Sequence, residues 1–259
     1  MAIRSRADAS RSPAGPLILA KRYDVGGIWH ELRMRRRRRR PQGAPTIGAN
    51  DHPLVTVLCV SNRPKQLDHV LSTFQAQDWQ NKELVLVQNT KGFDDLPSDW
   101  NHPTQILSQP PSISLGQCLN VGRAAADGTI LCRFDDDDLY DPGYLSATID
   151  VFRTVDAQVV GKSAHYVELS ELGETILRFP SKANCYVGYV AGGTIAEYIP
   201  ASGSIAYPDV SLGEDSSFTR ACERNGLRVW STSPKGFTQV RRHHTDHTWQ
   251  VTAEDLKRG

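Results

Sequence analysis

The residues best suited to chemistry are four consecutive aspartates, Asp135 to Asp138, followed by Leu139-Tyr140-Asp141-Pro142. Adjacent carboxylates repel one another, more strongly as water leaves. A cation relieves that repulsion, and hard oxygen donors suit magnesium, manganese or calcium. Side chains alternate in extended backbone, so Asp135 and Asp137 are expected on one side and Asp136 on the other. An acidic solvent-facing turn or a calcium loop is the plainer alternative. A second acidic pair, Glu214-Asp215, follows Gly213 and opens a helical pattern carrying Phe218, Ala221 and Cys222. Acids at a helix start also suit the macrodipole, so this pair alone decides little. Near the end, Arg241-Arg242-His243-His244-Thr245-Asp246-His247 gathers three histidines. They read as metal ligands, which without cysteines could also suggest zinc, or as a solvated histidine-rich tail; zinc wants a closed ligand set or one open position, and the carboxylate run points elsewhere.

These residues need elements to position them. Leu54 to Val60 is an apolar, β-branched run, as in a strand covered on both faces. Pro64 suits the first turn of a helix, and Leu67, Val70, Leu71 and Phe74 form one apolar stripe on it. Leu84 to Val87 reads as a second buried strand. Ser114 is the expected N-cap of a helix bearing Leu115, Cys118, Leu119 and Gly122, with Gly128 as its stop. Thr129 to Phe134 is the strand that delivers the aspartate run, and ligands of open α/β sheets sit beyond the carboxyl ends of strands. Alternating strands and helices predict a mostly parallel sheet in an α/β layer fold. Ala164 to Leu169 and Thr175 to Phe179 flank a turn and predict a small antiparallel hairpin.

Residues 1–52 differ in character, being rich in Arg, Pro and Gly, and predict an arm and linker ahead of one domain at 53–259. Formal net charge is +1, yet Arg33 and the run Arg35 to Arg40 supply seven positive charges, and the remaining residues sum to −6. That distribution argues against a globally basic nucleic-acid binder. The arginine run reads as an electrostatic contact for anionic lipid or nucleic acid, or as a solvated tether. Five cysteines without paired spacing read as reduced and structural, which favours the cytoplasm. No stretch approaches the roughly 20 apolar residues of a membrane span.

From about Pro53 to Trp249 the chain resembles the family 2 glycosyltransferases of GT-A fold. Five segments in order carry the likeness: Val57-Leu58-Cys59-Val60-Ser61-Asn62-Arg63-Pro64, Leu115-Gly116-Gln117-Cys118-Leu119-Asn120-Val121-Gly122, the aspartate run, Gly192-Gly193-Thr194 and Gly213-Glu214-Asp215. The resemblance implies a Rossmann-like, mostly parallel central sheet with helices on both faces. It implies a metal-dependent, inverting transfer of sugar from a nucleotide-sugar donor, UDP-linked, to a glycan or other hydroxyl acceptor. Asp135 and Asp137 would hold Mn2+ or Mg2+, with His244 completing the shell. Asp215 would be the general base. Ser61, Asn62, Arg63, Asn89, Asn120 and Asp136 would serve the donor, and Gly192, Gly193 and Glu214 the acceptor side, Glu214 either orienting the acceptor or bracing the helix start. The family's aspartate after the second strand is replaced here by Gln88-Asn89-Thr90, and its closing Asn by His247. A GT-A-like nucleotidyltransferase is the nearest alternative, although Ser61 to Pro64 lacks a Gly-rich phosphate loop. A non-catalytic binding module that retains the fold is the other.

Overall fold

The computed structural model describes residues 45, 47–242 and 251–258. The arginine run, His244 and His247 lie outside them. β1 (Val55–Ser61) pairs in parallel with β2 (Lys82–Gln88) and β4 (Ile130–Phe134), and β3 (Thr104–Ser108) extends the sheet beyond β2. β10 (Ala196–Tyr198) runs antiparallel between β4 and β6 (Val159–Gly161). β11 (Val229–Ser231) and β9 (Cys185–Tyr186) complete the order β3-β2-β1-β4-β10-β6-β11-β9. β1, β2, β4 and β6 run the same way, so their carboxyl ends share one edge.

β1 is apolar throughout, as both faces of a parallel sheet demand. Val55, Val57 and Cys59 pack on one face against α1 (Leu67–Ala76) and α3 (Tyr144–Thr154). Leu58 faces the other way, with Val85 and Val87, against α2 (Leu115–Ala125) and α5 (Glu214–Arg224). The result is a three-layer α/β/α sandwich. α1 buries the expected Leu67, Val70, Leu71 and Phe74 after a 3-10 turn that Pro64 opens. Ser114 caps α2, its Oγ accepting from the Gln117 amide at 3.2 Å.

Gly128 does not stop α2, which ends at Ala125. The glycine instead passes close beneath β1, where a Cβ would lie 2.6 Å from the Thr56 amide nitrogen. The hairpin exists as β7 (His165–Leu169) and β8 (Glu174–Arg178), but it belongs to a second sheet, β5-β12-β7-β8, with β5 (Leu139–Tyr140) and β12 (Phe237–Arg241). That sheet joins residues far apart in sequence, so local patterning could not reveal it. Part of the expected linker packs on the domain, since Ile47 lies against the α1/α3 core and Arg153 donates to the Asp51 carbonyl at 2.6 Å. All five cysteines are free. Among the described residues no helix is long and apolar enough to cross a membrane.

Candidate active site

The aspartate run leaves β4 at the shared carboxyl edge. The chain turns at Asp136-Asp137, so the alternation expected of extended backbone does not hold. Asp136 and Asp137 instead share one partner: Arg63 donates from Nε to Asp136 at 3.1 Å and from Nη1 to Asp137 Oδ2 at 2.7 Å. Ser61 Oγ also donates to Asp136. The end of β1 thus grips the aspartate turn directly. Burial pushes the Asp136 carboxyl up, against the lowering effect of Arg63. Asp138 turns inward and accepts from the Val240 amide at 2.9 Å, fastening the turn to β12. Burial, then the charges of Asp135 and Asp137, pushes its pKa well above the usual carboxylate range.

Asp135 faces a different environment. Its side chain is 33% exposed and accepts from Arg133 Nε at 3.1 Å. Tyr140 fixes the backbone here, its hydroxyl accepting from the Asp135 amide at 2.8 Å and donating to the Gly193 carbonyl at 2.7 Å. The Tyr140 ring stacks on Phe134 with centroids 3.9 Å apart.

The acceptor-side residues meet this turn. A Cβ on Gly193 would lie 2.8 Å from Asp135 Oδ2. One on Gly192 would lie 3.1 Å from Arg133 Nη1 and 3.2 Å from Asp215 Oδ2. The Gly192-Gly193 backbone therefore packs closely against Asp135 at one residue and against Arg133 and Asp215 at the other. Arg133 also reaches α5, since its Nη1 donates to Glu214 Oε1 at 3.0 Å. Both side chains of this ion pair are more than nine-tenths buried. Glu214 thereby braces the first turn of α5, and burial, partly offset by Arg133, raises its pKa. Asp215 accepts from the Ser216 amide at 2.6 Å and from the Tyr189 hydroxyl at 3.1 Å.

The donor-side residues separate into two groups. Ser61 and Arg63 reach the aspartate turn, as described, and Asn62 beside them is exposed. Asn89, at the end of β2, donates to the Pro110 carbonyl at 2.7 Å. Asn120 spends both ends of its amide on the Tyr207 backbone, at 2.9 Å each, and so holds the loop that leads into α5. Three residues at the site carried no expectation from the sequence: Arg133, Tyr140 and Tyr189. Arg133 had a legible signal, a lone charge within an apolar buried strand, where charges are rare unless paired.

Carboxylates are the donor type that a hard divalent cation takes, but those of this turn are held by other partners here. Two guanidinium groups, from Arg63 at 2.7 Å and Arg242 at 3.4 Å, converge on the single oxygen Asp137 Oδ2, so positive charge is already held there. Among the described residues no group of three or more His, Cys, Asp or Glu converges.

A mostly parallel sheet between helix layers, with an acidic turn at its carboxyl edge, defines the GT-A class. The chain matches glycosyl transferase family 2 over residues 56–186, just over half of its 259 residues, and it belongs to that family. Asp215 lies beyond the matched segment. Among solved structures it is similar to residues 1–349 of TarS from S. aureus in complex with UDP-GlcNAc, with TM-score 0.60, 17% identity, 79% of this chain and 63% of that chain covered. It is also similar to the mannosyltransferase PcManGT from Pyrobaculum calidifontis in complex with GDP-Man and Mn2+, with TM-score 0.56, 15% identity, 84% of this chain and 62% of that chain covered. At these identities the likeness is one of fold, and the chain spans a little under two thirds of the length of either structure. No curated protein matches the chain.

Proposed function

We propose that the protein is a metal-dependent, inverting glycosyltransferase that moves a sugar from a UDP-linked donor to an acceptor hydroxyl. The observation that carries this reading is the packing of Asp135 and Asp215 against the same Gly192-Gly193 backbone, 2.8 Å from a Cβ on Gly193 and 3.2 Å from one on Gly192 respectively. Family membership supports it, as does the binding of nucleotide sugars by the two similar structures named above.

Ser61, Asn62, Arg63, Asn89 and Asp136 are assigned to the donor nucleotide, and Asn120 supports that side through the loop it holds. Asp135, Asp137 and His244 would hold Mn2+ or Mg2+, which when bound supplies positive charge to the diphosphate leaving group. Asp215 takes the proton from the acceptor hydroxyl as its oxygen bonds to the anomeric carbon. The bond from that carbon to the diphosphate breaks, its electron pair leaving on the phosphate oxygen, and one displacement inverts the centre. A positioned base typically contributes about 10²- to 10⁴-fold to rate. Gly192 and Gly193 are assigned to the acceptor side, and Glu214 keeps the start of α5, with Asp215, in place through Arg133.

Thermal-shift screening of nucleotide sugars, with and without Mn2+, selects the donor, and UDP release then reports turnover. Asp215→Asn should lower kcat at least about 100-fold with donor binding intact. Asp137→Ala should abolish the metal-dependent part of the rate. Full turnover of Asp137→Ala in chelator removes the metal assignment; full turnover of Asp215→Asn removes the base.

A further inference from the structure

Tyr189 has no part in the reading above, yet it touches the residue on which that reading turns. It lies in the loop between β9 and the 3-10 turn Gly192–Thr194, and that loop is pinned along its length. The Val187 amide donates to the Val229 carbonyl at 3.0 Å, Ser163 Oγ donates to the Tyr189 carbonyl, and the Ala191 amide donates to the Lys162 carbonyl at 2.9 Å. Val190 is fully buried. A backbone so fastened gives the phenol little freedom to wander. Its hydroxyl donates to Asp215 Oδ2 at 3.1 Å, while Asp215 Oδ1 takes the Ser216 amide at 2.6 Å. Each carboxylate oxygen therefore has one fixed donor. An oxygen with two lone pairs keeps one for an acceptor hydroxyl.

We propose that Tyr189 is a positioning residue for glycosyl transfer: its phenol aims the Asp215 carboxylate at the acceptor. The inference rests on Asp215 being the base. Tyr189 is 37% exposed as a whole, but burial at its hydroxyl end, then the neighbouring Asp215 charge, pushes the phenol pKa above its ordinary value, so the hydroxyl stays a donor. The other charged or titratable groups at this corner are Arg133 of β4, beside the Gly192 backbone, and Glu214 of α5, both locked in their own ion pair. Arg178 of β8 faces the phenol. A hydrogen bond to the charged form lowers a carboxyl pKa, and that bond is what Tyr189→Phe removes.

The test compares Tyr189→Phe, which keeps the ring and removes only the hydroxyl, with wild type and Asp215→Asn. Carboxyl-carbon NMR titration of the free protein, assigned through Asp215→Asn, reads the hydrogen bond without any substrate. UDP release from a UDP-hexose with Mn2+ and water as acceptor reads the rate. Tyr189→Phe should raise the Asp215 pKa by about one unit or more and lower kcat by about 10-fold or more with donor KM within about twofold. In the Asp215→Asn background it should cost nothing further. An unchanged Asp215 titration overturns the proposal, as does a raised pKa with unchanged kcat. An equal loss of rate in the Asp215→Asn background also overturns it, because the phenol would then act elsewhere. If Asp215→Asn itself retains full activity, the base assignment has failed rather than the Tyr189 contact, which the titration reads separately.

Discussion

Arg133 is the residue whose removal would be felt most widely. It sits in a parallel strand with a 6% exposed side chain, where an unpaired guanidinium could not remain. Asp135 and Glu214 compensate it from two different elements. Breaking a buried pair by deleting one partner typically costs about 3–5 kcal/mol, because the other charge stays behind. Arg133→Met should lower the free energy of unfolding by that amount in urea titrations. Replacing both partners, Arg133→Met with Glu214→Met, should recover most of it, since neither charge is then stranded. A double variant no more stable than the single would show that Glu214 is not the residue left uncompensated. At Asp137 the situation differs, since Arg63 is a third exposed and Arg242 more so. Those pairs are screened by water, and their worth lies in holding positive charge where the diphosphate would arrive.

At the scale of elements, the approach of α2 to β1 sets how the sheet is covered on that face. Gly122 is the contact point: a Cβ there would meet Leu58 Cδ1 at 2.2 Å and Val87 Cγ2 at 3.0 Å. Alanine is the better helix former, so on propensity alone Gly122→Ala should stabilise by up to about 1 kcal/mol. Packing decides otherwise, because both neighbours are fully buried and have nowhere to go. Overpacking of this kind typically costs about 1–3 kcal/mol, so a net loss of stability is expected. An increased melting temperature for Gly122→Ala would refute the close packing. The second sheet contributes a different element-scale property, because β7 carries His165 into the interior, where it is 3% exposed. Burial lowers its pKa to about 4. The unfolded chain therefore takes up a proton near pH 6.5 that the folded chain refuses until about pH 4. The stability from neutral His165 is complete above the unfolded pKa and is lost as pH falls through that window. The loss amounts to about 3 kcal/mol at 1.36 kcal/mol per unit. His165→Gln should flatten this part of the pH-stability curve, and identical curves for the two proteins would rule the assignment out.

For the whole molecule, charge is distributed unevenly. The net of +1 combines a block of arginines, Arg33 and Arg35 to Arg40, with a remainder that sums to −6. We propose that the block binds anionic membrane, each arginine contributing about 1 kcal/mol near such a surface, screened by salt. Sedimentation with phosphatidylserine vesicles should fall on deleting Arg35 to Arg40 and on raising salt. Indifference to the deletion would leave the block without a membrane role. The remainder's acidity is offset locally at the carboxyl edge of the sheet, which gathers Arg63 and Arg242 around Asp137.

Much of this architecture was legible in order along the chain. The apolar run of β1, the stripe of α1, the Ser114 cap and the strand ahead of the aspartates follow from periodicity and capping, which depend on residues a few positions apart. The aspartate run announced by its own repulsion that positive charge must sit beside it, and Arg63 supplies that charge to Asp136 and Asp137. What the tertiary structure alone decided is who faces whom across the edge. Asp136 and Asp137 share Arg63 because the chain turns there, and no local pattern distinguished a turn from extended backbone. Arg133 meets Glu214 across 81 positions, and Tyr189 reaches Asp215 across 26. Both contacts exist because β10 inserts antiparallel between β4 and β6, drawing the Gly192-Gly193 turn past the end of β4. Strand order is settled by the burial of two whole faces at once, and no short segment of sequence carries that sum.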